Sequence, residues 1–270
     1  MIILIFYILI KFTFVSLKFQ LKKMKKIGFL ILFILAINKV QSQTEILKDQ
    51  GSWLTFTSSV KLSNKFYVSN VIQQRRVRFL KETQGLILSP SLNYKVSKKL
   101  SVGAGYLYYK YYPNGVSHSS IHKNENRFFQ QISLSSQAGK FKISNRLRFE
   151  ERVIELINTT VNPNIIDGDK YVNRFRYRIQ ATTNLFKLKN DKYLMGKLSN
   201  EIRIRFADGI TEPDFDQNNF EALIGYKLAS NSTIWTGYGR YYFRKNSSKY
   251  VSNNILHVTL SYNFDISKKN

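Results

Sequence analysis

Arginine is the residue whose spacing in this chain can do chemistry. In Asn145-Arg146-Leu147-Arg148-Phe149-Glu150-Glu151-Arg152 every second residue is charged, and Asn173-Arg174-Phe175-Arg176-Tyr177-Arg178-Ile179 repeats the device. A weaker third copy sets Glu201, Arg203 and Arg205 against Ile202, Ile204 and Phe206. A period of two is that of a strand with unlike faces; a helix would scatter these guanidiniums. Neighbouring strands bring facing side chains to about 5 Å. Arg146, Arg148, Arg152, Arg174, Arg176, Arg178, Arg203 and Arg205 therefore form one wall. The acids available on the same face are Glu150, Glu201 and Glu221, with Glu155 near the rim, too few to neutralise the arginines. Three chemistries are open to such a wall. It can pass small anions, as rings of Arg and Lys do in anion pores. It can capture an anionic ligand without transport. It can also be cross-linked by the glutamates into a plug that fills a narrow barrel.

Soluble sheets rarely pack arginines inward. Strands greasy on one face and charged on the other suit a closed barrel in a bilayer, with lipid outside and a polar lumen. The expectation is therefore an all-β fold, an antiparallel transmembrane β-barrel. Alternation predicts strands over 51–60, 65–79, 84–94, 100–112, 126–138, 141–155, 171–183, 192–206, 215–228, 232–243 and 253–264. The connections between them alternate short and long, as periplasmic turns and external loops do. Pro113, Pro163 and Pro213 fall in long loops. Pro90 falls on an apolar strand face and requires a bulge or a break in pairing. Single-chain bacterial barrels usually have an even strand number. Thr44 to Gln50 is accordingly assigned as a short extra strand, giving about twelve, with ten as the alternative.

A targeting segment precedes these strands. Met24-Lys25-Lys26, the apolar run Ile27 to Ile37 and Val40-Gln41-Ser42 have the plan of a cleaved signal peptide over residues 24–42. Residues 1–23 read as an upstream extension of the true start at Met24, and 43–270 as one barrel domain. The full chain carries a formal charge of +25; residues 43–270 keep +18. With no cysteine, a disulfide framework, a thiolate nucleophile and a lipidated cysteine are all excluded.

The Gly51-Ser52-Trp53 opening, Asn126-Arg127-Phe128-Phe129-Gln130-Gln131, Arg146-Leu147-Arg148-Phe149-Glu150, Arg174-Phe175-Arg176-Tyr177-Arg178, Asn200-Glu201 and Phe215-Asp216-Gln217-Asn218 together resemble the domain-of-unknown-function 2490 family. That family comprises presumed outer-membrane barrels of Bacteroidetes-type Gram-negative bacteria. The resemblance spans about residues 43–264 and implies an outer-membrane location; it supplies no reaction. Asn219 stands where the family pattern usually has an arginine, so one lumen contact differs here.

Other signals are weaker. Tyr94, Tyr106, Tyr108, Tyr112, Tyr238, Tyr242, Tyr262 and Phe264 lie near strand ends, as interfacial girdles do. Alternation inside exported strands is not the basic patch of a nucleic-acid binder. His118 and His122, with Ser117, Ser119, Ser120 and Glu125, offer a serine and a base for lipid hydrolysis at the rim. Gly115-Val116-Ser117-His118-Ser119 misses a nucleophile elbow by its last residue, and no strand-to-helix context surrounds it. Asp208, Glu212, Asp214 and Asp216 could hold calcium but lack the order of a known motif. The reading is a barrel that is not an enzyme, with no cofactor and no metal. Its partners are outer-membrane lipid, small anions and, during insertion, the barrel-assembly machinery.

Overall fold

The structure is a computed structural model, described here over residues 45–116, 119–188, 192–206, 214–246 and 249–267. Every regular element among them is a strand: β1 (Glu45–Lys61), β2 (Phe66–Val77), β3 (Glu82–Lys95), β4 (Leu100–Tyr111), β5 (Lys123–Ala138), β6 (Phe141–Asn158), β7 (Ile165–Lys187), β8 (Tyr193–Phe206), β9 (Asp214–Ala229), β10 (Ser232–Arg244) and β11 (Lys249–Asp265). Sequence neighbours pair antiparallel, and β1 pairs with β11 to close the barrel.

Among the described residues the strand number is eleven, neither twelve nor ten. Residues 45–50 form no separate strand. They are the leading part of β1, paired with β11 from Glu45↔Lys249 onward, whereas pairing with β2 begins only at Gly51↔Val77. An odd number makes the first and last strands run the same way, so the seam is parallel from Glu45↔Lys249 to Lys61↔Asp265. Its two ends are tied by Lys249 to Glu45 at 2.7 Å and Lys61 to Asp265 at 3.0 Å. Between them the Thr57 hydroxyl donates to Ser261 at 2.8 Å.

Alternation sorts the side chains. Outward positions carry exposed apolar groups all round the wall, among them Phe128 (62%), Ile132 (50%), Leu198 (55%) and Ile224 (53%). Inward positions carry buried polar and charged groups, among them Ser89, Ser91 and Asn93 on β3 and the arginines of β6 to β8. This arrangement is the reverse of a soluble barrel. Two small apolar clusters complete the filling: Ile87, Leu107, Tyr109 and Phe129 on β3 to β5, and Trp53, Tyr241 and Ile255 at the seam.

Local irregularities have local causes. Pairing of β3 with β4 passes from Leu88↔Tyr108 to Ser91↔Gly105 without a slip, skipping Ser89 and Pro90, because proline has no N–H to donate. Inward glycines make room for large neighbours. A Cβ on Gly225 would sit 2.4 Å from the Trp235 ring, and one on Gly105 would sit 2.5 Å from Phe129.

Candidate functional site in the barrel lumen

Strand register stacks the predicted charges in rows across the inner wall. Arg148, Arg176 and Arg203 stand abreast on β6, β7 and β8, with Gln131 and Gln217 at the ends of the row. On one side lies the row Arg146, Arg178 and Glu201; on the other lie Glu150, Arg174 and Arg205. Like charges directly opposite repel, and the glutamates relieve this along the diagonals. Glu201 accepts from Arg146 at 2.6 Å, from Arg176 at 2.6 Å and from Arg203 at 2.8 Å. Glu150, fully buried, accepts from Arg174 at 2.5 Å and from Arg176, with Arg148 at 3.8 Å and Arg127 at 4.0 Å. Glu125 bridges Arg127 and Arg152, each at 2.5 Å, and accepts from the Tyr111 hydroxyl. Arg174 also reaches Asp216 at 2.8 Å. The result is one chain of ion pairs from Arg152 through Glu125, Arg127, Glu150, Arg176 and Glu201 to Arg146.

All eleven predicted lumen residues face inward, in unequal roles. Arg148, Arg152, Arg174, Arg176, Arg203, Glu150 and Glu201 are buried, and Arg146 is partly exposed at the end of the chain. Arg205 lies apart at the rim, pairing with Asp214 at 2.7 Å, which also holds Arg244. Arg178 has no carboxylate within 4.0 Å among the described residues, and its Nε is buried without a hydrogen-bond partner. Glu221 neutralises none of the arginines; it accepts from Tyr241 at 2.5 Å and from Ser199 at 3.2 Å.

Sequence reasoning missed Glu125 and Arg127 as lumen residues. The strand predicted from alternation starts only at Asn126, yet Glu125 lies within β5, fully buried. The signal was present, since Glu125, Arg127, Phe129 and Gln131 alternate with Asn126, Phe128 and Gln130. Arg75, Lys197 and Asp216 were also missed as lumen residues: Arg75 sits beside Arg76, Asp216 falls in the acidic cluster with Asp214, and Lys197 lies four residues before the Glu201-Arg203-Arg205 alternation. At Asn219, buried opposite Glu201, the side-chain amide oriented to satisfy both groups accepts from Arg203 at 2.6 Å.

Only part of the rim constellation read for hydrolysis falls among the described residues. Ser117 and His118 lie outside the described residues. His122 packs edge-on against Tyr112, with ring centroids 5.0 Å apart, and Glu125 is committed to two arginines. Of the acidic cluster, Asp208 and Glu212 lie outside the described residues, while Asp214 and Asp216 accept from arginines.

A layer of side chains lies between two cavities in the lumen. A cavity of about 430 Å³ extends toward the short-turn end, and one of about 220 Å³ toward the long-loop end. Only Trp53, Arg75, Arg127, Arg203 and Tyr241 line both. Contacts run through this septum. The Arg75 guanidinium sits 3.7 Å from the Trp53 ring centroid and donates to the Tyr109 hydroxyl at 3.1 Å. Trp53 packs on Tyr241 at 4.2 Å, and Arg127 lies 5.8 Å from the Tyr109 ring. Stacked, desolvated guanidinium and aromatic groups of this kind hold one another in place.

No curated protein and no solved structure matches the chain. Residues 50–264 match the sequence profile of the family described as protein of unknown function, DUF2490. That match runs from the leading part of β1 to the end of β11 and takes in every lumen residue described above, so the chain belongs to the DUF2490 family.

Proposed function

We propose that this protein is an integral outer-membrane β-barrel of a Gram-negative cell, exported by the signal at residues 24–42, with its lumen closed at mid-height by the septum. The observation that carries the reading is the inversion of the wall. Exposed Phe128, Ile132, Leu198 and Ile224 face out while buried Arg176, Glu150 and Glu201 face in. In water such a wall would leave a continuous apolar surface exposed, which monomeric soluble proteins rarely do. In a bilayer the same wall meets lipid, and barrel closure leaves no strand edge unpaired.

Of the anion pathway and the plug, the geometry favours the plug. An open pore needs a continuous aqueous path, whereas here Arg75, Trp53 and Tyr241 fill the centre between two separate cavities. The glutamates that would have to release their arginines are fully or almost fully buried. The barrel then acts as a rigid membrane-embedded scaffold with two arginine-lined chambers, each open to one side.

The test is fractionation of the full chain expressed in a Gram-negative host, followed by planar-bilayer recording of the purified protein. Recovery in the outer membrane, heat-modifiable gel mobility and a silent bilayer support the reading. A soluble periplasmic product would remove the membrane assignment, and steady anion-selective steps would remove the plug.

A further inference from the structure

We propose that the larger, turn-side chamber is a binding site for an oxyanion of the phosphate or phosphate-monoester class, held by Arg146, Arg178 and Lys197. The chamber has the volume of a ligand pocket, about 430 Å³, and is lined by seven arginines and Lys197 against two carboxylates. Neither carboxylate forms an ion pair with Arg178 or Lys197 among the described residues, and Glu221, close enough to act on the Lys197 charge, can offset only one of the two. Glu201 is shared among Arg146, Arg176 and Arg203, and Glu221 accepts from Tyr241 and Ser199.

The surplus is concentrated at one place. Arg146 and Arg178 are direct cross-strand partners on β6 and β7, and the Nε–H of each is buried with no acceptor. Lys197 lines the same chamber with its ammonium 3.7 Å from the Trp235 ring centroid and no carboxylate within 4.0 Å among the described residues. Gln180 and Ser199, themselves partners across β7 and β8, add neutral polar groups to the lining.

A buried cation without a counter-charge is expensive, and two opposed guanidiniums are more so. A bound oxyanion removes both costs together. Its oxygens match the planar fork of arginine, so it can accept from the guanidinium groups of both Arg146 and Arg178. A multiply charged anion suits a site whose cations outnumber its carboxylates better than chloride does. The septum leaves the ligand no exit on the far side, so the chamber captures rather than conducts. That corollary rests on the closed lumen, but the site itself does not rest on membrane placement.

The experiment is titration of the purified full-length protein in detergent with inorganic phosphate, followed by calorimetry and by phosphorus NMR, with chloride held constant. The expected result is saturable binding. It should weaken about tenfold or more in Arg178→Gln and in Lys197→Gln, each of which removes one charge-assisted donor. Arg205→Gln, at the opposite rim, should bind as wild type does. A parallel titration with a soluble sugar phosphate separates the sources: tighter binding than inorganic phosphate assigns an organic monoester, and equal binding assigns the free anion. Folding of each variant is checked by heat-modifiable mobility. Absence of saturable phosphate binding in folded wild type would overturn the proposal, as would unchanged binding in both folded variants.

Discussion

Arg176 donates through Nε and Nη2 to a single oxygen of Glu201, at 3.1 and 2.6 Å, across the β7–β8 boundary. Its remaining terminal nitrogen reaches Glu150 on β6, so one side chain ties three strands. Removing one partner of such a buried pair leaves an uncompensated charge and costs about 3–5 kcal/mol. Glu201→Gln is expected to lower stability by that amount in urea unfolding from lipid vesicles. At the seam, Asp265→Asn removes an exposed pair and should leave the transition unmoved.

The outer wall gives a second prediction. Ile132, half exposed on β5, lies on the face assigned to lipid. Arginine there is expected to cost about 2–4 kcal/mol in bilayers if it sits near mid-depth. The same change at Ile266, beyond the end of β11, should cost little. Refolding yield and urea midpoint in vesicles measure both.

Packing inside the barrel gives a third. A side chain at Gly225 would run into the Trp235 ring. Gly225→Val should destabilise by about 1–3 kcal/mol, the usual cost of overpacking, and should shift the tryptophan emission as the indole moves. Near-neutral stability with unchanged emission would show that the lumen has slack there.

The septum gives a fourth. Trp53 and Arg75 fill its centre, and neither belongs to the ion-pair chain. Trp53→Ala combined with Arg75→Ala should therefore join the two cavities without breaking that chain. Planar-bilayer recordings are expected to change from silent to stepwise conductance, anion-selective because Arg127 and Arg203 remain in the path.

Much of this fold was legible because a two-residue period with unlike faces has one good solution. The strands over β6, β7 and β8 and their inward arginines follow from that pattern alone, as does the broken pairing at Pro90. Alternation alone counts eleven strands, and it was the expectation of an even number that turned residues 45–50 into a twelfth. Residues 45–50 look like a separate element until β11 is seen to run past the end of β2, and nothing local marks a parallel seam. The turn at Arg78, Phe79 and Leu80, where three successive non-glycine residues have positive φ, also lacked the glycine or asparagine that announces such a conformation. In the site, the arginine rows could be read from spacing, but not which carboxylate serves which arginine. Glu150 and Glu201 neutralise along diagonals set by register, and Glu221 serves a tyrosine. Residues such as Arg75 and Lys197 acquire meaning only when closure brings distant strands together.

The most direct test of the account asks which face of the wall meets lipid. Both native tryptophans, Trp53 and Trp235, are buried within the barrel, at 5% and 6% exposure, while Phe128 is 62% exposed on the outside. The measurement compares quenching by brominated lipids in wild-type protein with quenching of a single tryptophan placed by Phe128→Trp in a Trp53→Phe, Trp235→Phe background. A membrane-spanning barrel predicts strong quenching at position 128 and much weaker quenching of the native indoles. An unquenched tryptophan at 128 in folded, vesicle-associated protein would contradict the membrane barrel.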